Sequence, residues 1–205
     1  MKIESQIKFK NLLDSVNACT LCENDLPLGV NPVVQLDPQA KILIAGQAPG
    51  RIVHETNIPL NDKSGDRLRL WMGIDKELFY DATKIAILPM GFCFPGTGKS
   101  GDLPPRKECA EKWRHSILEQ LPNIELTLVI GLYAMKWHLG KSMQSNLTNT
   151  VKNHLNYSKK VIPLPHPSPR NYGWLKKNPW FEKNNIPLLK KMFLIYFNFL
   201  FDKIF

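Results

Sequence analysis

Four short apolar segments, rich in β-forming residues, constrain the fold of this chain more than any other feature of its sequence. They span residues 41–46, 84–90, 126–131 and 160–165. Continuous apolar runs of this length are typical of strands that are buried on both faces of a sheet. Helical patterns lie between them, at residues 65–73, 105–121 and 133–140. This alternation predicts a three-layer α/β/α sandwich around a central four-stranded parallel sheet.

The length and apolar content indicate one domain. With 205 residues, of which 43% are hydrophobic, the chain can build one full core, so we expect a single domain over residues 1–205. The sequence gives no sign of oligomerisation, so we expect a monomer. The first twenty residues have helical spacing and no continuous apolar run, which argues against a signal peptide and for a cytoplasmic protein. The most apolar stretch, residues 192–201, is about half as long as a membrane span needs. We therefore expect a buried last helix and no membrane contact.

The charge balance is strongly basic. Lys and Arg number 27 against 18 Asp and Glu, which gives a formal net charge of +9. Such a balance is expected of a protein that binds a polyanion, and it also occurs in basic housekeeping enzymes.

Each predicted strand ends in an unusual loop. The sequence GQAPG (residues 46–50) follows the first strand, a long glycine-rich loop (91–105) the second, GLYA (131–134) the third, and HPSPRN (166–171) the fourth. Ligands bind beyond the carboxyl ends of strands in open parallel sheets, so we expect these loops to form one cleft. The glycines and proline of GQAPG favour a tight turn that presents backbone amides, although many strand-to-helix turns have this composition. HPSPRN places an imidazole, a hydroxyl, a guanidinium and an amide on a rigid loop, where His166 is either functional or a satisfied structural residue.

The four cysteines suggest a metal site. Cys19 and Cys22 form a C-x2-C pair, and Cys93 and Cys109 are separated by fifteen residues. Structural disulfides are rare in the reducing cytosol. Four thiolates suit either a [4Fe–4S] cluster or tetrahedral zinc. The remaining reading is four unrelated buried cysteines.

The GQAPG sequence followed by HPSP resembles the two signature motifs of the uracil-DNA glycosylase superfamily, in order, spacing and placement at strand ends. The cysteine pattern is similar to that of the family 4, thermophile-type branch, which favours a [4Fe–4S] cluster over zinc. The resemblance implies a DNA repair enzyme that hydrolyses the N-glycosidic bond of uracil or another deaminated base flipped out of DNA. It also implies that His166 donates a hydrogen bond to the leaving base.

The same resemblance assigns further roles. The DNA-binding loop consists of Ser168, Pro169, Arg170 and Asn171. Either Arg170 or Asn171 would insert into the base stack as the base leaves it. The base contacts six residues, namely Gln47, Ala48, Pro49, Gly50, Leu60 and Pro89. Three of them depart from the usual pattern: Leu60 stands where an aromatic ring is usual, Pro89 where an asparagine is usual, and Ala48 where an aspartate is usual in the most active family. These departures imply altered base specificity, or a DNA-binding protein of this fold with weak or no catalysis. An unrelated α/β hydrolase or nucleotide-binding enzyme is a third reading.

The residue that activates water is open among Asp62, Glu55, His54 and Gln47. Asp62 ranks first because it lies in the turn before a predicted helix, and Glu55 follows. Gln47 can only orient a water molecule. Asp62 has a second reading as the cap of that helix.

In the segment 168–183, cationic and aromatic side chains alternate, as expected of a surface that binds DNA. The cations are Arg170, Lys176, Lys177 and Lys183, and the rings are Tyr172, Trp174, Trp180 and Phe181. The other reading places most of these rings in the core.

Overall fold

A computed structural model describes residues 2–99, 101–153 and 160–197. Four parallel strands form the central sheet, in the order β2-β1-β5-β6. Their bounds are β1 Ile42–Ala45, β2 Ile85–Ile87, β5 Leu126–Ile130 and β6 Val161–Leu164. A separate antiparallel hairpin consists of β3 Thr97–Gly98 and β4 Gly101–Asp102. The predicted four-stranded parallel sheet is confirmed, and the hairpin was not predicted.

Helices connect the strands. They are α1 Lys2–Asn17, α2 Arg51–Thr56, α3 Lys63–Met72, α4 Lys76–Tyr80, α5 Lys107–Glu119, α6 Gly131–Leu139, α7 Leu147–Lys152, α8 Tyr172–Lys177 and α9 Ile186–Tyr196. The three helical patterns in the sequence correspond to α3, α5 and α6, with ends that differ by a few residues. Helix ends fray and depend on local capping, so differences of this size are expected.

Alternate side chains of β1 pack against the helices on opposite faces of the sheet. Ile42 and Ile44 pack into a cluster that includes Leu68 of α3 and Phe193 of α9. Leu43 packs on the opposite face, in a cluster that receives side chains from α1 and α5. Successive side chains of a strand point to opposite faces, so helices cover the sheet on both sides and the predicted three-layer sandwich is confirmed.

Two details of the predicted elements have physical explanations. Pro163 lies within β6, and this is tolerated because β6 is an edge strand of the sheet. The predicted last helix is confirmed as far as Tyr196, where α9 ends, while residues 198–201 of that prediction lie outside the described residues. Phe193 is fully buried, as a core helix requires. None of the helices in the described part of the chain is long and apolar enough to cross a membrane.

Candidate functional site

A cleft of about 410 Å³ opens at the carboxyl ends of the sheet strands. Its walls come from the first-motif loop (residues 46–50), the start of α3, the β3–β4 hairpin and the second-motif loop (166–171). Ile44, Ile87 and Ile130 close its floor at the ends of β1, β2 and β5. The structure therefore brings both sequence motifs to one cleft, as the topology of a parallel sheet predicts.

His166 lines this cleft directly after β6. Its Nδ1 accepts a hydrogen bond from the backbone N–H of Ser168 at 3.2 Å, so the neutral ring carries its proton on Nε2. Burial lowers the pKa of His166 below its ordinary value, and the negative charges of Asp62 and Asp102 oppose this change. The geometry thus provides a neutral imidazole with one N–H to donate.

Asp62 caps α3 and also lines the cleft. Its Oδ1 accepts hydrogen bonds from the backbone N–H groups of Ser64 at 3.0 Å and Gly65 at 2.9 Å, which caps α3. The same carboxylate lines the cleft, where Oδ2 lies 3.8 Å from the point that a Cβ on Gly50 would occupy. One oxygen is therefore structural and the other faces the cleft.

Asp102 is a cleft residue that the sequence argument missed. It ends β4, and its Oδ2 lies 3.6 Å from the same Cβ point of Gly50. Residue 102 was not among the water-activating candidates taken from the sequence, which all lie between residues 47 and 62. A usable signal was its position in the long loop after the second strand, since that loop was expected to reach the cleft.

The other predicted water-activating residues differ in placement. Gln47 lines the cleft, but its Nε2 donates to the carbonyl of Leu103 at 3.1 Å and so ties the first-motif loop to the hairpin. Glu55 is exposed, pairs with Arg51 at 3.0 Å and does not line the cleft. The structure does not bring Glu55 to the cleft with Asp62 and Gln47, because its side chain lies on the exposed surface of α2. His54 also lies outside the cleft lining and packs beside Phe94.

The predicted base-contacting residues are all found in the cleft wall: Gln47, Ala48, Pro49, Gly50, Leu60 and Pro89. Leu60 adopts a left-handed backbone with φ of 55°, and its carbonyl accepts a hydrogen bond from the Tyr80 hydroxyl at 3.3 Å. Leu60 and Pro89 give this part of the wall an apolar character. Neither side chain can read a base by hydrogen bonding.

Arg114 supports this wall from the interior of the protein. The sequence did not indicate this role. The residue is completely buried, and its Nη1 donates to the carbonyls of Leu88 at 2.8 Å and Pro89 at 2.7 Å. Nη2 lies 2.9 Å from Nε2 of His138, and the guanidinium stacks on Trp137 at 4.7 Å. Burial, together with the charge of Arg114, lowers the pKa of His138 to about 3, so this histidine is a neutral acceptor.

Some polar side chains of the second-motif loop form hydrogen bonds within the loop itself. Asn171 Nδ2 donates to the carbonyl of His166 at 2.8 Å, and the Oγ of Ser168 accepts from the backbone N–H of Arg170 at 3.2 Å. Arg170 and Pro169 are exposed at the edge of the cleft. The guanidinium of Arg170 reaches the hairpin, because a Cβ on Gly101 would lie 2.6 Å from its Nη1. Arg170 is therefore exposed at the edge of the cleft, whereas Asn171 is held within the loop.

The aromatic rings of segment 168–183 divide between core and surface. Phe181 is fully buried, and Trp174 and Trp180 pack edge-to-face against it and against each other. Tyr172 is 65% exposed. The alternative that most of these rings belong to the core is confirmed, and Tyr172 is the ring that remains available to a ligand.

All four cysteines line a second, small cavity of about 20 Å³. Within the described part of the chain, each sulfur has a nitrogen donor: Trp113 Nε1 to Cys19 at 3.3 Å, the backbone N–H of Phe92 to Cys109 at 3.4 Å, Arg106 to Cys22, and the backbone N–H of Asn31 to Cys93. Burial raises the pKa of Cys109 to about 12. Among residues 2–99, 101–153 and 160–197, no three His, Cys, Asp or Glu side chains are grouped closely enough to hold one metal ion.

A comparison of the sequence with known protein families agrees with the geometry of the cleft. The family model of the uracil DNA glycosylase superfamily matches residues 33–190. The matched span includes both motif loops, the hairpin and α3, which together form the cleft. It covers more than half of the chain, and the observed sheet is the one that this family resemblance implied. The chain belongs to the uracil DNA glycosylase superfamily.

Proposed function

We propose that this protein hydrolyses the N-glycosidic bond of uracil or another deaminated base in DNA, as the first step of base excision repair. Membership of the superfamily supports a glycosylase-like hydrolase in general. The observation that carries the proposal is the state of His166, which lines the cleft as a neutral imidazole whose Nε2–H has no hydrogen-bond partner among the described residues. A base that leaves with the bonding electron pair needs such a donor at its oxygen.

The cleft suits a single flipped nucleotide. Its volume of about 410 Å³ lies within the range of small-molecule sites, and the flipped base would lie against the apolar wall of Leu60 and Pro89. Backbone amides of the first-motif loop and His166 Nε2–H would stabilise the departing base anion. Asp62 Oδ2 faces the cleft, and we assign it to hold the attacking water below the sugar.

Positive and aromatic groups at the edge of the cleft supply the DNA contacts. Arg170 and Tyr172 are both exposed on the second-motif side. The formal net charge of +9 favours binding to the phosphates of the DNA backbone. We propose that Arg170 enters the space left by the flipped nucleotide, since Asn171 is held by the carbonyl of His166.

We further propose that Cys19, Cys22, Cys93 and Cys109 hold a [4Fe–4S] cluster, with zinc as the alternative. The four cysteines line one cavity, and N–H donors from Trp113 and Phe92 already point at two of the sulfurs. Such hydrogen bonds are a general feature of thiolate-held clusters. Among the described residues no three His, Cys, Asp or Glu side chains are grouped closely enough to hold a single ion, which favours a cluster that takes one thiolate on each iron over zinc. The cluster would supply a structural cross-link between the N-terminal segment, the loop after β2 and α5. Iron and sulfide content, with the colour of the purified protein, distinguishes the two metals.

A second function has its own support. Ala48, Leu60 and Pro89 line the cleft, and none of them brings a carboxylate, amide or aromatic group to the base. A DNA-binding protein of this fold with weak or no catalysis would have such a wall. Salt-sensitive DNA binding without base release would identify it.

The test is base release from end-labelled oligonucleotides that carry one uracil, hypoxanthine or xanthine, followed by alkaline cleavage. We expect one lesion to be cleaved, and we expect His166→Ala to lower the rate by about 10²- to 10³-fold, since one anion-stabilising donor is lost. His115→Ala is the matched control, because His115 is exposed on α5 and lies outside the cleft lining. Equal rates for His166→Ala and the wild type would contradict the role of His166. No release from any lesion would favour the second function.

A further inference from the structure

The cleft contains a second carboxylate that faces Asp62. Oδ2 of Asp102 and Oδ2 of Asp62 lie 3.6 and 3.8 Å from one point, the Cβ position of Gly50. Both negative charges act on His166 and oppose the effect of burial on its pKa. The two carboxylates therefore approach the same region of the cleft from different walls, one on α3 and the other on the hairpin.

The hydrogen bonds of the two side chains differ. Oδ1 of Asp62 accepts two backbone N–H groups, which fixes this carboxylate in place. Within the described part of the chain, the hydrogen bond to the Asp102 side chain is a long one, 3.4 Å from the hydroxyl of Thr97 to Oδ1. Asp102 is also exposed in the open cleft. The carboxylate oxygens of Asp102 are therefore more available than those of Asp62 to bind a water molecule and accept its proton.

The hairpin that carries Asp102 is held against the cleft by several contacts. Leu103, the next residue, donates its N–H to the carbonyl of Gly96 at 2.8 Å and accepts from Gln47 at 3.1 Å. The guanidinium of Arg170 covers Gly101. The first-motif and second-motif loops thus both contact this hairpin, so the position of Asp102 is tied to both halves of the proposed site.

We propose that Asp102 is a second catalytic carboxylate, which accepts the proton of the attacking water while Asp62 holds that water and faces the sugar. This inference rests on the proposed function. In the step, the water oxygen forms a bond to C1′ of the deoxyribose, and the C1′–N bond breaks. The electron pair of that bond leaves with the base, whose anion accepts the hydrogen bond of His166 Nε2–H. The water proton passes to Asp102 and is returned to the base anion through solvent.

The experiment compares single-turnover base release by the wild type, Asp102→Asn and Asp62→Asn, on the lesion that the wild type cleaves. Loss of a proton acceptor lowers a rate by about 10²- to 10⁴-fold, and we expect this loss for Asp102→Asn with DNA affinity unchanged or increased. Glu111→Gln is the matched control for the change of one negative charge, because Glu111 is exposed on α5 outside the cleft lining. We expect it to retain the wild-type rate.

Two further variants separate a chemical role from a structural one. Asp102→Glu keeps a carboxylate and should retain part of the rate. Asp102→Ala should lose the rate and regain part of it in added formate, because formate can occupy the vacated space as a proton acceptor. An Asp102→Asn rate within about threefold of the wild type, or no rescue by formate, overturns the inference and leaves the proposed function intact. No base release by the wild type on any lesion overturns the proposed function, and this inference with it.

Discussion

Arg114 shows how one residue joins the core to the cleft. Its buried guanidinium binds the carbonyls of Leu88 and Pro89 at the end of β2, so the chain that enters the cleft wall is held from inside the molecule. A buried charge is costly unless it is paired, and here Nη2 lies beside His138 while the guanidinium stacks on Trp137. Among the described residues, Nε of Arg114 has no hydrogen-bond partner. This arrangement requires His138 to be neutral, because a protonated ring would place two positive charges about 3 Å apart.

The neutral state of His138 predicts acid sensitivity. Its pKa is lowered from 6.5 to about 3 in the folded protein, so below pH 6.5 the unfolded chain binds a proton that the folded chain does not. This contribution to stability is complete above pH 6.5 and is lost as the pH falls towards 3. Between pH 6.5 and 4.5 the free energy of unfolding should fall by about 2 to 3 kcal/mol from this group. Urea unfolding at the two pH values measures it.

The comparison variant is His138→Gln, because a glutamine oxygen can accept from Arg114 and has no charge to gain. Other groups titrate in both proteins, so the difference between the two pH dependences isolates His138. We expect the variant to lose less stability on acidification than the wild type. Parallel loss in both proteins would show that His138 is protonated in the folded state.

At the scale of elements, the turn before α3 positions two cleft residues at once. Asp62 caps the helix, and Leu60 adopts a left-handed conformation that brings its carbonyl onto the first turn of α3. Gly65 permits this contact, since a Cβ at that position would lie 1.7 Å from the Leu60 carbonyl oxygen. The cap was readable from the sequence, because Asp before a helical pattern is a standard start signal. The backbone approach was not, because it depends on how the turn folds back.

Gly65→Ala should therefore destabilise the protein by more than the usual surface change, by about 2 kcal/mol or more, because a backbone atom must move. The control is Gly173→Ala on α8, where nothing lies within 4 Å of the new Cβ. That change should be neutral or stabilising, since alanine favours helix by up to about 1 kcal/mol over glycine. Thermal melting of the two variants tests the contrast. Equal melting temperatures would mean that the turn can relax without loss.

The sheet and the hairpin show where sequence reasoning succeeds and where it stops. The four sheet strands are continuous apolar runs, and burial on both faces leaves that pattern in the sequence. The hairpin has two-residue strands in a glycine-rich loop, with no apolar alternation to detect. The position of the hairpin beside the first-motif loop was therefore not predicted, and Asp102 was not among the candidates. That position depends on long-range contacts with Gln47 and Arg170 that no local pattern encodes.

For the whole molecule, the cysteine cavity joins segments that are distant in the chain. Cys19 and Cys22 follow α1, Cys93 lies in the loop after β2, and Cys109 is on α5. The C-x2-C spacing was a local signal, and the resemblance to a known family supplied the grouping of all four. Physical reasoning from the sequence alone could not have brought them together, because the contact between α1 and α5 is tertiary.

If the four cysteines hold the proposed cluster, their placement would link the stability of the fold to the cleft. Cys93 and Cys109 bracket the loop that carries Asp102, so loss of a bound cluster should loosen both the N-terminal segment and one wall of the cleft. For Cys22→Ser we expect loss of iron and a melting temperature lower by roughly 10 °C, since each 1 kcal/mol corresponds to about 2–4 °C in a chain of this size. Base release should fall as well.

The control is Ala18→Ser, which adds a hydroxyl at an exposed position one residue before Cys19 and removes no thiol. It should keep both the metal and the melting temperature of the wild type. If Cys22→Ser also keeps its melting temperature, the cysteines are four thiols without a cluster, and the contacts of Gln47 and Arg170 hold the hairpin without one. If instead stability falls while base release persists, the cluster supports the fold and those two contacts suffice to position Asp102, because they fix the hairpin from the cleft side.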